Sequence, residues 1–102
     1  MPKTTEQALR RRSSWTNKSK DIRERSLYLC AVCQEQGKAR AEDDIEVHHI
    51  VKLKDDPSGL LDDDNLICLC IYHHKQADRG DLSIDYLREL VKKRDNQIFN
   101  LL

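Results

Sequence analysis

Two stretches decide how this chain folds: Glu46-Val47-His48-His49-Ile50-Val51 and, further along, Asn65-Leu66-Ile67-Cys68-Leu69-Cys70-Ile71-Tyr72-His73-His74. All four histidines of the protein lie in these stretches, as two adjacent pairs. The isoleucine and valine residues around the first pair predict a β-strand over residues 44–52, and residues 66–69 predict a second strand. Histidine both binds metal ions and accepts protons near neutral pH. The two histidine pairs are therefore the strongest candidates for a functional site.

The other elements are predicted from caps, turns and apolar spacing. Ser19 is predicted to cap a short helix over residues 21–29. Another helix begins at Ile71 and is stopped by Gly80, and a last one follows Ser83. The last helix has an apolar stripe of Ile84, Leu87, Leu90, Val91, Ile98 and Phe99, with Lys92, Lys93 and Arg94 facing outward. The sequence thus predicts an α+β fold in which a ββα unit is flanked by helices.

Size and composition suggest a stabilising metal. The chain has 102 residues, of which 38% are hydrophobic and 35% are charged. A small domain of this kind buries a thin core and often adds a metal or disulfides to remain folded. The sequence contains no visible signal peptide or membrane span, so we expect a reducing compartment. There, Cys-x-x-Cys indicates metal or redox chemistry rather than a disulfide.

The net charge of zero conceals a strong asymmetry. Residues 1–25 carry eight Lys or Arg against three acids, whereas residues 42–64 carry nine acids against two Lys. We expect residues 1–17 to form a flexible basic arm and residues 18–102 to form a single domain. A basic arm favours a nucleic-acid partner, although a solubilising tail has the same composition. The candidate phosphate contacts are Arg10, Arg11, Arg12, Lys18, Lys20 and Arg23, together with the basic end of the last helix.

The cysteines predict a zinc site. Cys30 and Cys33 have the Cys-x-x-Cys spacing that lets two thiolates reach one ion across a tight turn. Either Cys70 and His73 complete the site with the same spacing, or Cys68 and Cys70 complete it from one strand face. We favour Cys70 and His73, which leaves Cys68 as a small buried apolar residue. Thiols that bind no metal are the alternative for the whole set.

The histidines predict a second metal site. On a strand, His48 and His49 point to opposite faces, so one can bind a metal while the other faces a substrate. On a helix, His73 and His74 lie about 100° apart, so His73 can bind zinc while His74 turns towards His48. A divalent ion held by His48 and His74, with His49 beside it, would form a minimal hydrolytic site. Histidines that are simply hydrogen-bonded within a core are the alternative.

These signals occur in a recognisable order: Cys-x-x-Cys, Glu-Val-His-His-Ile-Val, an acidic loop, then Asp-Asn-Leu-Ile-x-Leu-Cys-x-x-His-His-Lys. The order resembles the HNH endonuclease family, whose fold is the ββα-metal finger, and the resemblance covers Cys30 to about Lys75. More narrowly, the chain is similar to small zinc-containing HNH proteins that tailed bacteriophages encode next to their DNA-packaging terminase. The resemblance implies metal-dependent hydrolysis of DNA phosphodiester bonds, leaving 5′-phosphate and 3′-hydroxyl ends.

The resemblance also implies roles for the matching residues. His48 and His74 would bind the catalytic divalent ion, such as Mg²⁺, Mn²⁺ or Ni²⁺, and His49 would be the general base. Asn65 would tie the loop between the strands and so orient the base. Asp78, one turn after His74, either completes the catalytic metal shell or is an ordinary exposed acid.

The resemblance matches Cys30, Cys33 and Cys70 to structural zinc positions. His73 stands where the family pattern usually has Cys, which leaves His73 and Cys68 as alternatives for the fourth zinc ligand.

Partners follow from the same resemblance. We expect the protein to bind DNA largely independently of sequence and to act with a phage large terminase. We expect a monomer in the cytoplasm of a bacterial host, with no membrane association. The rival interpretation is a non-catalytic zinc module that binds nucleic acid or protein, which would need the cysteines and the arm but not His49. A host defence or toxin nuclease of the same fold would differ in biology rather than in chemistry.

Overall fold

The computed structural model describes residues 2–38 and 45–101, with side chains for residues 13–38 and 45–96. The chain forms four helices and two strands over these ranges. They are α1 (Pro2–Arg25), α2 (Ala31–Glu35), β1 (Glu46–His49), β2 (Leu66–Leu69), α3 (Ile71–Asp78) and α4 (Ile84–Leu101). Two short 3₁₀ turns, Pro57–Leu61 and Asp63–Asn65, lie between the strands. The expected α+β fold, with a ββα unit flanked by helices, is confirmed.

The two strands form an antiparallel hairpin whose register positions the histidines. Val47 lies opposite Cys68, His48 opposite Ile67, and His49 opposite Leu66. All four residues of β2 are buried, because helices and the partner strand cover it on every side. Strand β1 is shorter than predicted, and Asp44 lies outside the described residues.

The core lies around β2. Side chains from three helices pack against this strand, and each is at most 5% exposed. They are Ile22 of α1, Val32 of α2, and Leu87, Leu90 and Val91 of α4. Of the apolar stripe predicted for α4, Leu87, Leu90 and Val91 are buried, whereas Ile84 is 44% exposed. The side chains of Ile98 and Phe99 lie outside the described residues. No helix among the described residues is long and apolar enough to cross a membrane.

Helix α1 begins much earlier than predicted. Residues 2–17, expected to form a flexible arm, have a helical backbone. The prediction that Ser19 is an N-cap is wrong, because Ser19 is buried inside the helix and accepts a hydrogen bond from Arg23. Only Trp15, Ser19 and Ile22, spaced like one helix face, face the core in the part with described side chains. So few apolar positions give almost no periodic signal in the sequence.

The same helix also ends earlier than predicted. It stops at Arg25, and Leu27 and Tyr28 both adopt left-handed backbone conformations with φ of 57°. The amide of Tyr28 donates to the carbonyl of Arg23 at 2.9 Å, which satisfies a carbonyl at the helix end. This reversal brings the chain back to Cys30, which caps α2.

Arg94 does not face outward as predicted. It is 9% exposed, and its guanidinium donates to the backbone carbonyls of Leu66 and Asp63. The side chain therefore ties α4 to the start of β2 and is not available for phosphate contact. Lys92 and Lys93 are exposed as expected and pair with Glu89 and Glu35, respectively.

Candidate metal sites and the residues around them

Two helix starts bring three cysteines and one histidine together. Cys30 caps α2 and Cys70 caps α3, while Cys33 and His73 lie in the first turns of those helices. The Nδ1 atom of His73 lies 3.4 Å from the Sγ of Cys30, 3.4 Å from that of Cys33 and 3.3 Å from that of Cys70. The Sγ atoms of Cys33 and Cys70 are 3.9 Å apart.

These distances fit a tetrahedral zinc ion. Zinc bonds of usual length to sulfur and nitrogen would separate two thiolates by about 3.8 Å, and a thiolate from an imidazole by about 3.5 Å. Burial and the neighbouring thiols raise the pKa of Cys33 to about 12, and burial raises that of Cys30. A bound cation would instead stabilise the thiolates that these crowded positions disfavour. Cys30, Cys33, Cys70 and His73 could therefore hold zinc.

Cys68 lies apart from this group. Its side chain is fully buried, and its Sγ lies 3.8 Å from the backbone carbonyl of Ile22, to which it donates. The structure therefore brings His73 and not Cys68 to the other three residues. This is the alternative that the sequence favours, because Cys70 and His73 repeat the spacing of Cys30 and Cys33. Cys68 occupies the position of a small apolar core residue, between β2 and α1.

A second group joins β1 to α3. The possible ligand atoms of His48, His74 and Asp78 all lie within 4.8 Å of one another. Nδ1 of His48 is 3.6 Å from Asp78, and Nε2 of His74 is 3.8 Å from the other oxygen of the same carboxylate. Two imidazoles and one carboxylate suit a divalent metal ion. The sequence left open whether Asp78 belongs to this site, and the structure places its carboxylate beside His48 and His74.

His48 has the protonation state that a metal ligand needs. It is 6% exposed, and burial, helped by the nearby His74, lowers its pKa to about 4 even though Asp78 acts to raise it. The imidazole is therefore neutral at physiological pH, with a nitrogen lone pair to donate.

Glu46 orients His74, although the motifs in the sequence do not single it out. The Nδ1 atom of His74 is hydrogen-bonded to the Glu46 carboxylate. Nδ1 therefore carries the proton, which leaves Nε2, the nitrogen facing Asp78, as the potential ligand atom. Glu46 and His48 are two residues apart on β1 and so share one strand face. That alternation is the signal by which Glu46 could have been found.

His49 lies on β1 next to His48 and is held on two sides. Its Nε2 is 3.2 Å from the carbonyl oxygen of Leu60. A carbonyl only accepts hydrogen bonds, so Nε2 carries the proton and Nδ1 is the nitrogen that can take one up. Trp15 of α1 stacks on the ring, with ring centroids 4.8 Å apart. The ring's tautomer and orientation are thus both set by the fold.

Asn65 ties the end of β1 to the 3₁₀ turn that carries Leu60. Its Oδ1 accepts from the amide of Val51 at 2.7 Å, and its Nδ2 donates to the carbonyls of Val51 and Gly59 at 3.1 and 3.2 Å. Asn65 is 5% exposed, so these bonds are shielded from water. The contacts are those expected of a residue that orients His49 through the loop.

We expect Gly59→Ala to damage this link. A Cβ atom at Gly59 would lie 2.5 Å from Nδ2 and 3.2 Å from Cγ of Asn65, so the amide would have to move. The free energy of unfolding, measured by urea titration, should fall by about 1–3 kcal/mol. Ser58→Ala, on the exposed side of the same turn, should change it by about 0.5 kcal/mol or less. Equal stability of the two variants would contradict this account of Asn65.

The residues predicted to contact phosphates differ in whether they already have a partner within the protein. Lys18 pairs with Asp63 at 2.6 Å, and Arg23 donates to the carbonyl of Ile45 at 3.1 Å. Lys20 is exposed. The side chains of Arg10, Arg11 and Arg12 lie outside the described residues. Lys18 and Arg23 therefore help to hold α1 on the rest of the protein.

Comparison with known proteins gives one match. The family model described as HNH endonuclease matches residues 30–80, which include both the cysteine-rich group and the His48–Asp78 group. No curated protein and no solved structure matches the chain. The match spans half of the chain and agrees with the ββα arrangement of β1, β2 and α3. The chain therefore belongs to the HNH endonuclease family.

Proposed function

We propose that the protein is a metal-dependent endonuclease that hydrolyses phosphodiester bonds of DNA by nicking or cutting. The observation that carries the proposal is the group of His48, His74 and Asp78 beside an imidazole, His49, whose proton-accepting nitrogen is defined by its contacts. A divalent ion such as Mg²⁺, Mn²⁺ or Ni²⁺ on this group would stabilise charge on the scissile phosphate and on the departing 3′ oxygen.

The side chains of this protein have separate parts in the reaction. Nδ1 of His49 takes the proton of the attacking water, and the Leu60 carbonyl stabilises the resulting imidazolium through Nε2. Asn65 holds the loop that presents this carbonyl. Glu46 holds His74 in the tautomer that binds metal.

The cysteine-rich group has a structural part in this proposal. Three thiolates and one imidazole fill all four positions of a tetrahedral zinc ion, so no position is open for water or substrate. Zinc there would join the starts of α2 and α3.

Plasmid cleavage tests the proposal. Purified, zinc-loaded protein should convert supercoiled plasmid to nicked or linear forms in Mg²⁺, Mn²⁺ or Ni²⁺, and not when the divalent ion is omitted. Folded protein that cleaves under none of these conditions would favour the non-catalytic zinc module.

We expect Glu46→Gln to weaken catalytic metal binding. The amide cannot accept the Nδ1 proton of His74 as strongly as the carboxylate does, so His74 becomes a poorer ligand. The metal concentration for half-maximal cleavage should rise about 10–100-fold. Glu89→Gln removes an exposed carboxylate on α4 and should leave this concentration unchanged. Identical metal titrations for the two variants would argue against the role of Glu46.

Trp15 should act as a positioning residue. Trp15→Ala removes the ring that stacks on His49 and should lower kcat about tenfold or more with KM nearly unchanged, whereas Trp15→Phe should restore most of the rate. Trp15 is the single tryptophan of the chain, so its fluorescence reports the contact directly and should change in His49→Ala. A KM effect alone, or no rescue by Phe, would contradict positioning.

The biological setting is proposed from the resemblance to phage proteins. We assign the activity to DNA packaging in the bacterial cytoplasm, with a phage large terminase as partner. Co-purification of the protein with the terminase, and faster cleavage in its presence, would support this assignment. A chain that neither binds the terminase nor responds to it would point to a defence or toxin nuclease.

A further inference from the structure

A cleft of about 380 Å³ opens beside the His48–Asp78 group. It lies between the segment after β1 and the turn that joins α3 to α4. His48 and Asp78 themselves line it, so the candidate metal site and the cleft are continuous. Its other lining residues include the cations Lys52, Lys54 and Arg79.

The cations of the cleft differ in availability. Lys52 and Lys54 are exposed and have no hydrogen-bond or ion-pair partner among the described side chains. Arg79 instead pairs with Asp81 at 3.0 Å. A cation that already has a protein partner must give it up to bind a phosphate, whereas an unpaired, solvated lysine need not. The two lysines are therefore the readier phosphate contacts.

Other cations do not have this combination of features. Most cations of α1 and α4 whose contacts are described already have a partner within the protein. Lys18 pairs with Asp63, Arg25 with Asp21 and Asp63, and Lys93 with Glu35, while Arg94 donates to backbone carbonyls. Lys20, Lys38, Lys75 and Arg88 are exposed without such a partner in the described part of the chain, but none lines this cleft. Among the described residues, Lys52 and Lys54 are thus the unpaired cations that line the cleft beside the metal group.

Duplex geometry explains why charge is needed there. DNA carries one phosphate charge per roughly 1.7 Å of helix axis, so phosphates next to the scissile one must lie close to the metal group. Lys52 lines the same cleft as His48 and Asp78, so a phosphate bound in the cleft can lie near both the lysine and the metal group. Asp55 also lines the cleft and would repel a phosphate.

We infer that the DNA strand to be cut runs through this cleft and that Lys52 and Lys54 bind its phosphates. The inference rests on the proposed nuclease function and adds the path of the substrate and the residues that hold it. It places the main electrostatic contact next to the reacting phosphate and not on the α1 helix, where the charge distribution of the sequence predicts it. Phosphate contacts of this kind position the duplex without reading its sequence.

Binding is tested separately from cleavage. A fluorescently labelled duplex is titrated with His49→Ala protein in Mg²⁺, and anisotropy gives the dissociation constant as a function of salt. In this His49→Ala background, substituting both Lys52 and Lys54 by Ala should weaken DNA binding about tenfold or more. It should also reduce the slope of log K against log salt by about 2. Asp55→Asn should strengthen binding. Arg88→Ala, an exposed cation outside the cleft, should leave the salt slope unchanged.

The outcomes separate this inference from the proposed function. If His49→Ala protein binds DNA but the two lysine substitutions leave its salt slope unchanged, the inference is overturned and the nuclease proposal stands. A larger effect of Lys20→Ala than of the lysine pair would also overturn it, in favour of α1. If the protein binds no DNA at all, both proposals fail. Both lysines are exposed, so zinc content and melting temperature should match those of the parent protein.

Discussion

Replacement of His49 by Ala should abolish plasmid cleavage, with a loss of about 10²–10⁴-fold, the range for removal of a general base. The loss has a specific structural reason. His49 is held by the Leu60 carbonyl and by Trp15 so that Nδ1 can take a proton, and Ala leaves no group in its place. DNA binding and zinc content should be retained, because His49 belongs to neither of the groups of possible metal ligands. Cleavage, anisotropy and zinc content measured on one preparation test these three expectations together.

Two controls make this result specific. His49→Gln keeps a side chain of similar length that can still donate to Leu60 but is not a base, so it should be as inactive as Ala. Added imidazole should restore part of the activity of His49→Ala, since it can enter the space left by the side chain and accept the proton. Cleavage that survives in both variants would show that His49 is not the base.

Replacement of Cys33 by Ser should abolish zinc binding at the cysteine-rich group and unfold the protein. Structural zinc in small domains contributes about 10–16 kcal/mol of binding free energy, which is comparable with or larger than the whole stability of a domain, about 5–15 kcal/mol. In this chain the four residues bring the start of α2 and the start of α3 together. Circular dichroism melting and colorimetric zinc release should therefore both show the loss.

Cys68→Ala is the matched control for this variant. Cys68 is also a buried cysteine, but it lies outside the cysteine-rich group, and its Sγ donates to the backbone carbonyl of Ile22. The variant should keep one equivalent of zinc and lose about 1 kcal/mol of stability. His73→Cys should also keep zinc, because thiolate and imidazole both bind it well. Loss of zinc in Cys68→Ala, with zinc retained in Cys33→Ser, would reverse the assignment of ligands.

Local signals predicted the central part of this fold well. The boundaries of β2 and the start of α3 follow from a short apolar run that ends at Cys70. Ser83 was predicted to begin the last helix, and its Oγ accepts from the amide of Tyr86 at 3.1 Å. Gly80 was predicted to stop α3, and it has a φ of 82° that a residue with a side chain rarely adopts. Each of these features depends on interactions between residues close in sequence.

The length of α1 and the position of Arg94 could not be predicted in the same way. Helix α1 is mostly polar, so its periodicity is weak, and its core contacts are with residues far along the chain. Arg94 is a charged residue near a helix end, where exposure is expected, yet it donates to two backbone carbonyls about thirty residues away in the chain. The charge of a side chain therefore predicts that it is exposed only if the fold brings no backbone carbonyl close enough to accept its hydrogen bonds.

The sequence by itself determined the histidine and cysteine donors of the two candidate metal groups, the Cys-x-x-Cys and Cys-x-x-His spacings, and the alternation that separates His48 from His49. Tertiary structure alone decided that His73 and not Cys68 joins the cysteines, that Asp78 and Glu46 meet His74, and that Trp15 covers His49. The physical reason is that spacing along a helix or strand sets the direction of a side chain. Which distant side chain it meets depends on how the helices pack around the buried strand β2.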